Sequence, residues 1–360
     1  MKIIVLIGGG RTGIDFFQSL LDSHSSISQF PGTFYFDEFW LKVKNIDTIQ
    51  DVAKKFIQDY EKFFDSRLNL IERHYMLGEK KDSFYIVEKK IFIQKFVDLM
   101  KSKKMDKENL LHCLHLAYSF ASGENLTEKK IIILHLHHVF RIKILDGIDF
   151  EIIYTVRDPL ASYTSLINHW LNFEEGTHVN PSTYYFHIDR LFNGLKNSII
   201  YQKNTHVIQL EKLHIENEKV MKAFCKIFNI IYSETMTQST YHGKQWWGDK
   251  LSGKDLKGVN PYFKNKVDIN LFFKKDIECM ETFLGKFIKK YEYPLRSKGL
   301  KYSILKIFPF KVELLILKRS ILSLNIKNVL LFFLFWFKRV RLMSKKIHEG
   351  IEFPKSMTSI

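Results

Sequence analysis

Cysteine is scarce in these 360 residues: Cys113, Cys225 and Cys279 are odd in number, far apart and outside any C-x-x-C or Cys/His spacing. Their pattern excludes a disulfide framework, carries no zinc signature and fits a reducing compartment. Acidic side chains are also few, 39 against 55 Lys and Arg, which leaves a formal charge of +16. An anionic partner is therefore expected, whether a phosphorylated cofactor, an acidic glycan, a membrane surface or nucleic acid, and charge does not choose among them. No uninterrupted apolar run reaches the roughly 20 residues of a membrane span. No internal repeat, low-complexity linker or secretory signal is visible, so a cytoplasmic location is expected. With 46% hydrophobic and 26% charged residues the chain has the composition of a globular protein with a sizeable core.

What is present begins at once. Lys2 to Ile7 is a short, β-branched, apolar run that reads as a buried parallel strand. Gly8-Gly9-Gly10-Arg11-Thr12-Gly13 follows, and then Ile14, Phe16, Phe17, Leu20 and Leu21 at helical spacing predict a helix over residues 14–23. Residues 40–122 are mostly amphipathic and helical, after which Ile131–His135, Glu151–Val156 and His206–Leu210 read as strands and 216–228 as a helix. Strands alternating with helices predict a parallel α/β sheet.

The loop between the first strand and helix is a natural anion site, because backbone N–H groups and the helix dipole point at it. Three versions of such a loop compete. A Walker A loop needs Lys and then Ser or Thr after the last glycine, where Ile14 and Asp15 stand. A dinucleotide loop finds its G-x-G-x-x-G in Gly8, Gly10 and Gly13 but lacks a well-placed acidic residue for the ribose.

The third is carried by Gly10 to His24, which resembles the 5'-phosphosulfate loop of sulfotransferases that use 3'-phosphoadenosine 5'-phosphosulfate (PAPS). The segment Ile152 to Ser165, with Arg157-Asp158-Pro159 at a strand end and Ser165 eight residues after the arginine, resembles the 3'-phosphate motif of that family. Gln209 to Leu213 resembles its strand ending in Glu-x-Leu. The resemblance covers roughly residues 1–265. It implies a P-loop-like three-layer α/β fold in which Gly10, Arg11, Thr12, Gly13, Ile14 and Asp15 surround the 5'-phosphosulfate. Arg157 and Ser165 would hold the 3'-phosphate, and Trp247 and Gly248 would belong to a late loop over the nucleotide. PAPS is the implied donor and PAP, 3'-phosphoadenosine 5'-phosphate, the product, with Arg11 stabilising the leaving phosphate.

The family base often ends the strand before the 3'-phosphate motif, where this chain has His135, His137 and His138; Asp37 and Glu38 stand next in line. An imidazole suits proton abstraction near neutral pH. Two hydroxyl residues usual in the family are replaced by Ile14 and Asp15, which keeps open a non-catalytic, nucleotide- or membrane-binding relative. Asp15 is compatible with an anion site if it caps its own helix.

The expected organisation is a sulfotransferase domain over residues 1–300, with a helical acceptor lobe at about 40–125, followed by a basic helical appendage over 301–360. From Lys301 to Lys346 eleven Lys or Arg face one acid, Glu313, around apolar runs such as Val329 to Phe337. That pattern suits either an amphipathic segment on an anionic membrane, placing the protein on the inner membrane face, or a helix pair packed on the body. The expected acceptor is a hydroxyl of a saccharide or lipid-linked glycan, and no nucleic-acid partner is expected.

Overall fold

The computed structural model describes residues 1–172, 181–193, 204–250, 255–256, 258–297, 306–344 and 353–357. Its centre is a five-stranded parallel sheet in the order β2-β3-β1-β4-β5, with helices packed around it, an α/β fold. The strands are β1 (Lys2–Gly8), β2 (Ile27–Gln29), β3 (Ile131–His137), β4 (Glu151–Val156) and β5 (Thr205–Gln209). Apolar side chains on both faces of β1, β3 and β4 are buried, as continuous Ile/Val/Leu runs require in a sheet covered on both sides. A two-stranded antiparallel ribbon, β6 (Thr240–Tyr241) and β7 (Lys244–Gln245), stands apart.

Helix α1 (Ile14–Leu20) follows β1 and is shorter than the predicted 14–23. Between β2 and β3 the chain forms α2 (Phe36–Val43), α3 (Ile49–Asp59), α4 (Glu61–Phe64), α5 (Lys89–Met100) and α6 (Lys107–Ala121). Phe30, Phe34, Phe39, Phe56, Phe63 and Phe92 knit this lobe together ring on ring. After β4 come α7 (Pro159–Asn172) and α8 (Pro181–Asn193); after β5 come α9 (Leu210–Ile215) and α10 (Asn217–Phe228). Further on lie α11 (Lys274–Phe283), α12 (Gly285–Lys290), α13 (Lys311–Leu322) and α14 (Ile326–Ser344).

Strand order positions the site. The chain leaves β1 for β2 and β3 on one side, then crosses to β4 and β5 on the other, so the connections diverge at the carboxyl end of β1. Such a switch point opens a crevice where parallel α/β sheets bind ligands.

The C-terminal helices pair and pack on α8. Their side chains Val312, Ile316, Phe335, Leu342 and Met343 join the same hydrophobic core as the sheet. Residues 301–305, 345–352 and 358–360 of the expected appendage lie outside the described residues.

Candidate functional site

The turn after β1 is built from left-handed residues: Gly10, Arg11 and Gly13 have φ of 87°, 52° and 82°. A run of this kind turns successive N–H groups toward one point, an anion-binding concavity. Glycine is obligatory at two of its positions, since a Cβ on Gly8 would lie 2.5 Å from Thr155 Oγ1 and one on Gly13 2.4 Å from Leu210 Cδ1. Thr12 is buried and its hydroxyl shares a 2.8 Å hydrogen bond with Thr155, which takes that hydroxyl out of the loop's donor set. Ile14 is buried in the core. Asp15 makes no capping bond to α1; its carboxylate instead lies 3.8 Å from His135 Nδ1.

The second motif meets the first. Arg11 Nε donates to Ser165 Oγ at 3.2 Å, and Arg157 Nη1 donates to the Arg11 carbonyl at 3.4 Å. Asp158 does not pair with Arg157. It accepts from the Leu160 and Ala161 amides at 2.9 and 3.2 Å, capping α7 above Pro159, and accepts from Arg296 Nη2 at 2.6 Å. Arg157 is thereby left without a carboxylate in ion-pair range among the described residues. Its Nε donates to Asn265 Oδ1 at 3.1 Å, and burial pushes its pKa down from the ordinary arginine value. Glu211, at the start of α9, holds this corner by accepting from Asn265 Nδ2 at 2.5 Å and from the Asp158 amide at 2.9 Å. Glu211 and Asp158 offset that burial only from a distance, so an anion bonded directly to the guanidinium would stabilise it further.

His135, His137 and His138 close the other side. The pairing of β3 with β1 slips between Leu6, opposite His135, and Ile7, opposite His137, while His137 takes a φ of 64°. This bulge curls the strand end so that His135 Nε2 and His137 Nδ1 come within 3.3 Å. Gln18 sets the protons. Its Nε2 donates to the Phe30 carbonyl at 2.7 Å, which leaves Oε1 to accept from His135 Nδ1 at 2.8 Å. Burial holds His135 well below the ordinary imidazole value, so the ring is neutral and its Nε2 accepts from His137 Nδ1–H. The pKa of His137 is lowered by burial, against the pull of Asp15, so it too is neutral and keeps its lone pair on Nε2. That nitrogen has no hydrogen-bond partner among the described residues. His138 is pushed down to about 3 by burial and stacks on Phe140.

Several residues of this crevice were not picked out from the sequence. Asp249 pairs with Arg11 Nη1 at 3.2 Å. Glu72 has a buried Oε2 without a partner, and burial together with Asp15 and Asp249 holds its carboxyl well above the usual range. From α8, buried His187 bonds Ser162 Oγ, which itself donates to the Gly10 carbonyl at 2.9 Å, and Arg190 lowers the pKa of His137, His138 and His187. Gln18 had a readable signal, a polar residue on the apolar face of α1 beside Ile14, Phe17 and Leu21. Asp249 fell within the segment expected in the late loop but had no role of its own there, and Glu72 had no signal.

Trp247 Nε1 donates to the Gly78 carbonyl at 2.7 Å with Lys81 over its ring, while Trp246 Nε1 donates to the Glu72 carbonyl at 2.6 Å. The Trp pair thus fastens the loop after α4 to this segment. Gly248, at φ 85°, gives the turn that brings Asp249 to Arg11. Of the late loop expected over the nucleotide, which the sequence places at residues 243–249 and 252–263, residues 252–254 and 257 lie outside the described residues. Asp37 and Glu38 are both held by Arg141, at 2.7 and 2.8 Å.

No protein-family model matches the sequence, and no curated protein does so. Solved structures do. A sulfotransferase domain from the curacin biosynthetic pathway is 16% identical, covers 82% of this chain and 93% of its own, and superposes with a TM-score of 0.40. A sulfotransferase domain from the Synechococcus PCC 7002 olefin synthase is 13% identical over 78% of this chain and 94% of its own, at 0.43. Sulfotransferase STF9 from Mycobacterium avium is 10% identical over 83% and 78%, at 0.37. Similarity this distant transfers no residue roles.

Proposed function

We propose that the protein binds PAPS in the crevice at the carboxyl ends of β1, β3 and β4 and transfers its sulfuryl group to an acceptor hydroxyl. One observation carries the reading: two cationic strand-end sites, built on Arg11 and on Arg157, open side by side, and Arg157 lacks a carboxylate partner among the described residues. A doubly phosphorylated adenosine supplies an anion for each of the two sites, whereas a nucleoside triphosphate or a dinucleotide without a 2'-phosphate gives no reason for the second.

The chain's own groups divide the work. The nest of residues 10–13 and the Arg11 guanidinium hold the 5' end, and Arg11 opposes charge on the leaving phosphate, a role typically worth ~3–4 kcal/mol. Arg157 and Ser165 hold the 3'-phosphate, with Glu211 and Asn265 fixing the arginine. When bound, PAPS supplies an activated sulfuryl group. The His137 Nε2 lone pair, aimed by the Gln18–His135 chain, removes the acceptor's proton. A general base of this kind contributes ~10²–10⁴-fold.

The acceptor proposed is a saccharide hydroxyl, free or on a lipid, supported by the chain's positive charge and the breadth of such chemistry. Titration calorimetry with PAP, followed by transfer of radiolabelled sulfate from PAPS to a panel of glycans and lipids, tests both halves. Absence of PAP binding refutes the whole reading. Binding without transfer to any acceptor favours the second reading, a nucleotide-binding protein without catalysis, which the Asp249 carboxylate on Arg11 and the buried Ile14 support.

A further inference from the structure

The C-terminal hairpin of α13 and α14 has two apolar faces, and the core uses only one. Phe332, Phe335, Leu342 and Met343 turn inward, Phe335 meeting Tyr185 and Phe186 of α8 at ring separations of 5.6 and 5.8 Å. The rotation of α14 is fixed by Arg339, fully buried, whose Nε and Nη2 donate to the two Glu313 oxygens at 2.6 and 3.0 Å. Trp336 Nε1 adds a 3.0 Å bond to the Ile307 carbonyl. A second stripe is therefore held outward. Ile326, Leu330, Phe333, Leu334 and Phe337 recur every three or four residues along α14 and are 74%, 66%, 53%, 46% and 60% exposed. Leu322 and Leu324 extend it through the turn of the hairpin, at 73% and 86% exposed.

We propose that this stripe docks on an anionic lipid surface, lying in the interface rather than crossing it. Charge selects that occupant. Lys318, Arg319, Lys327, Lys338 and Arg341 are exposed on the same hairpin, and Glu313, the only acidic residue from 306 to 344, is spent on Arg339 inside. A second copy of the chain meeting this face about a two-fold axis sets these cations against their equivalents with no exposed carboxylate on the hairpin to relieve them. An apolar stripe flanked by cations matches acyl chains below anionic headgroups. Among the described residues no helix is long and apolar enough to cross a membrane, and the stripe lies in the interface. This docking does not rest on the sulfuryl-transfer reading, and it can fail or hold independently of it.

The test is co-sedimentation of the full chain with vesicles of phosphatidylcholine alone and of phosphatidylcholine mixed with phosphatidylglycerol, at low and high salt. The wild-type protein pellets with the anionic vesicles, much less with neutral ones, and is released by salt. Combining Lys327→Gln, Lys338→Gln and Arg341→Gln weakens partitioning roughly a hundredfold at low salt. Combining Leu330→Gln, Phe333→Gln and Phe337→Gln weakens it at least tenfold at either salt, with ~0.8 kcal/mol of burial lost per CH₂ behind that factor. Equal binding to both vesicle types, or no binding, overturns the proposal. So does a wild-type dimer in sedimentation velocity that the apolar substitutions dissociate. The wild-type comparison of vesicles and salt decides even where a variant fails to fold.

Discussion

Replacing Arg157 separates the two halves of the anion site and needs no knowledge of the acceptor. Its guanidinium is withdrawn from water, held by Asn265 and the Arg11 carbonyl, and has no carboxylate partner among the described residues. Hydrogen bonds from a charged donor contribute about 1.5–3 kcal/mol, so losing the guanidinium costs PAP binding roughly a hundredfold, each factor of ten being about 1.4 kcal/mol. The same change leaves 5'-AMP, which lacks the 3'-phosphate, within a few-fold of its wild-type affinity. Arg11→Ala weakens both nucleotides by a similar factor. Titration calorimetry of the two ligands against wild type, Arg157→Gln and Arg11→Ala yields the cycle directly. Stability offers a second readout with the opposite sign. Because burial disfavours the charge on Arg157, Arg157→Gln, which keeps a donor for Asn265, leaves the ligand-free Tm unchanged or raises it. If Arg157→Gln weakens 5'-AMP as much as PAP, or lowers the Tm by many degrees, Arg157 is a structural residue and the two-site reasoning is wrong.

His137→Ala lowers kcat by about 10²–10⁴-fold with PAP affinity preserved, and Gln18→Leu, which frees the His135 tautomer, lowers kcat less with the same preserved affinity. Because burial lowers the His137 pKa, the acid limb of the rate profile falls below the free-imidazole 6.5; a limb above it excludes this base. Asp249→Asn removes the carboxylate that competes for Arg11, in a pair largely shielded from solvent, and tightens PAP binding several-fold; calorimetry showing weaker binding assigns Asp249 a different role. Burial holds His74 and His187 at about 3 against 6.5, so their stabilising contribution is complete above pH 6.5 and is lost as pH falls toward 3. Asp276, raised to about 6 by burial, has the opposite sign. Between about pH 7 and pH 5.5 these three groups together remove roughly 2 kcal/mol, visible as a lower urea midpoint, and an unchanged or higher midpoint contradicts it. Glu313→Gln strands the buried Arg339 charge and costs about 3–5 kcal/mol, whereas Glu313→Leu with Arg339→Met recovers most of it; equal melting of single and double variants counts against that pairing.

The sheet was readable where strands are buried on both faces. Glu151–Val156 emerges as expected and β5 within one residue, because continuous β-branched runs leave little choice. Strand β2 was not, since three residues, Ile27, Ser28 and Gln29, carry too little pattern, and Ser28 is buried only by bonding Ser119 and the His115 carbonyl. The strand ending at His135 in the sequence reading runs to His137, because a bulge lets the chain absorb an extra residue and stay in register. That local event turns two alternating histidines into a hydrogen-bonded pair.

The site divides in the same way. Loop glycines, strand-end arginines and the serine on α7 are local, each fixed by its own strand and turn, and the fold brings Arg11, Ser165 and Arg157 into contact. The residues that tune them come from far along the chain: Asp249 is 238 positions from Arg11, and Asn265 is 108 from Arg157. Arg339 makes the point for the appendage. By composition it is one more surface cation, yet it is sealed inside on Glu313, and that burial fixes which face of α14 is left bare. Composition gives the number of charges; only packing decides whether a charge meets solvent, a carboxylate or a ligand, and with that what each one does.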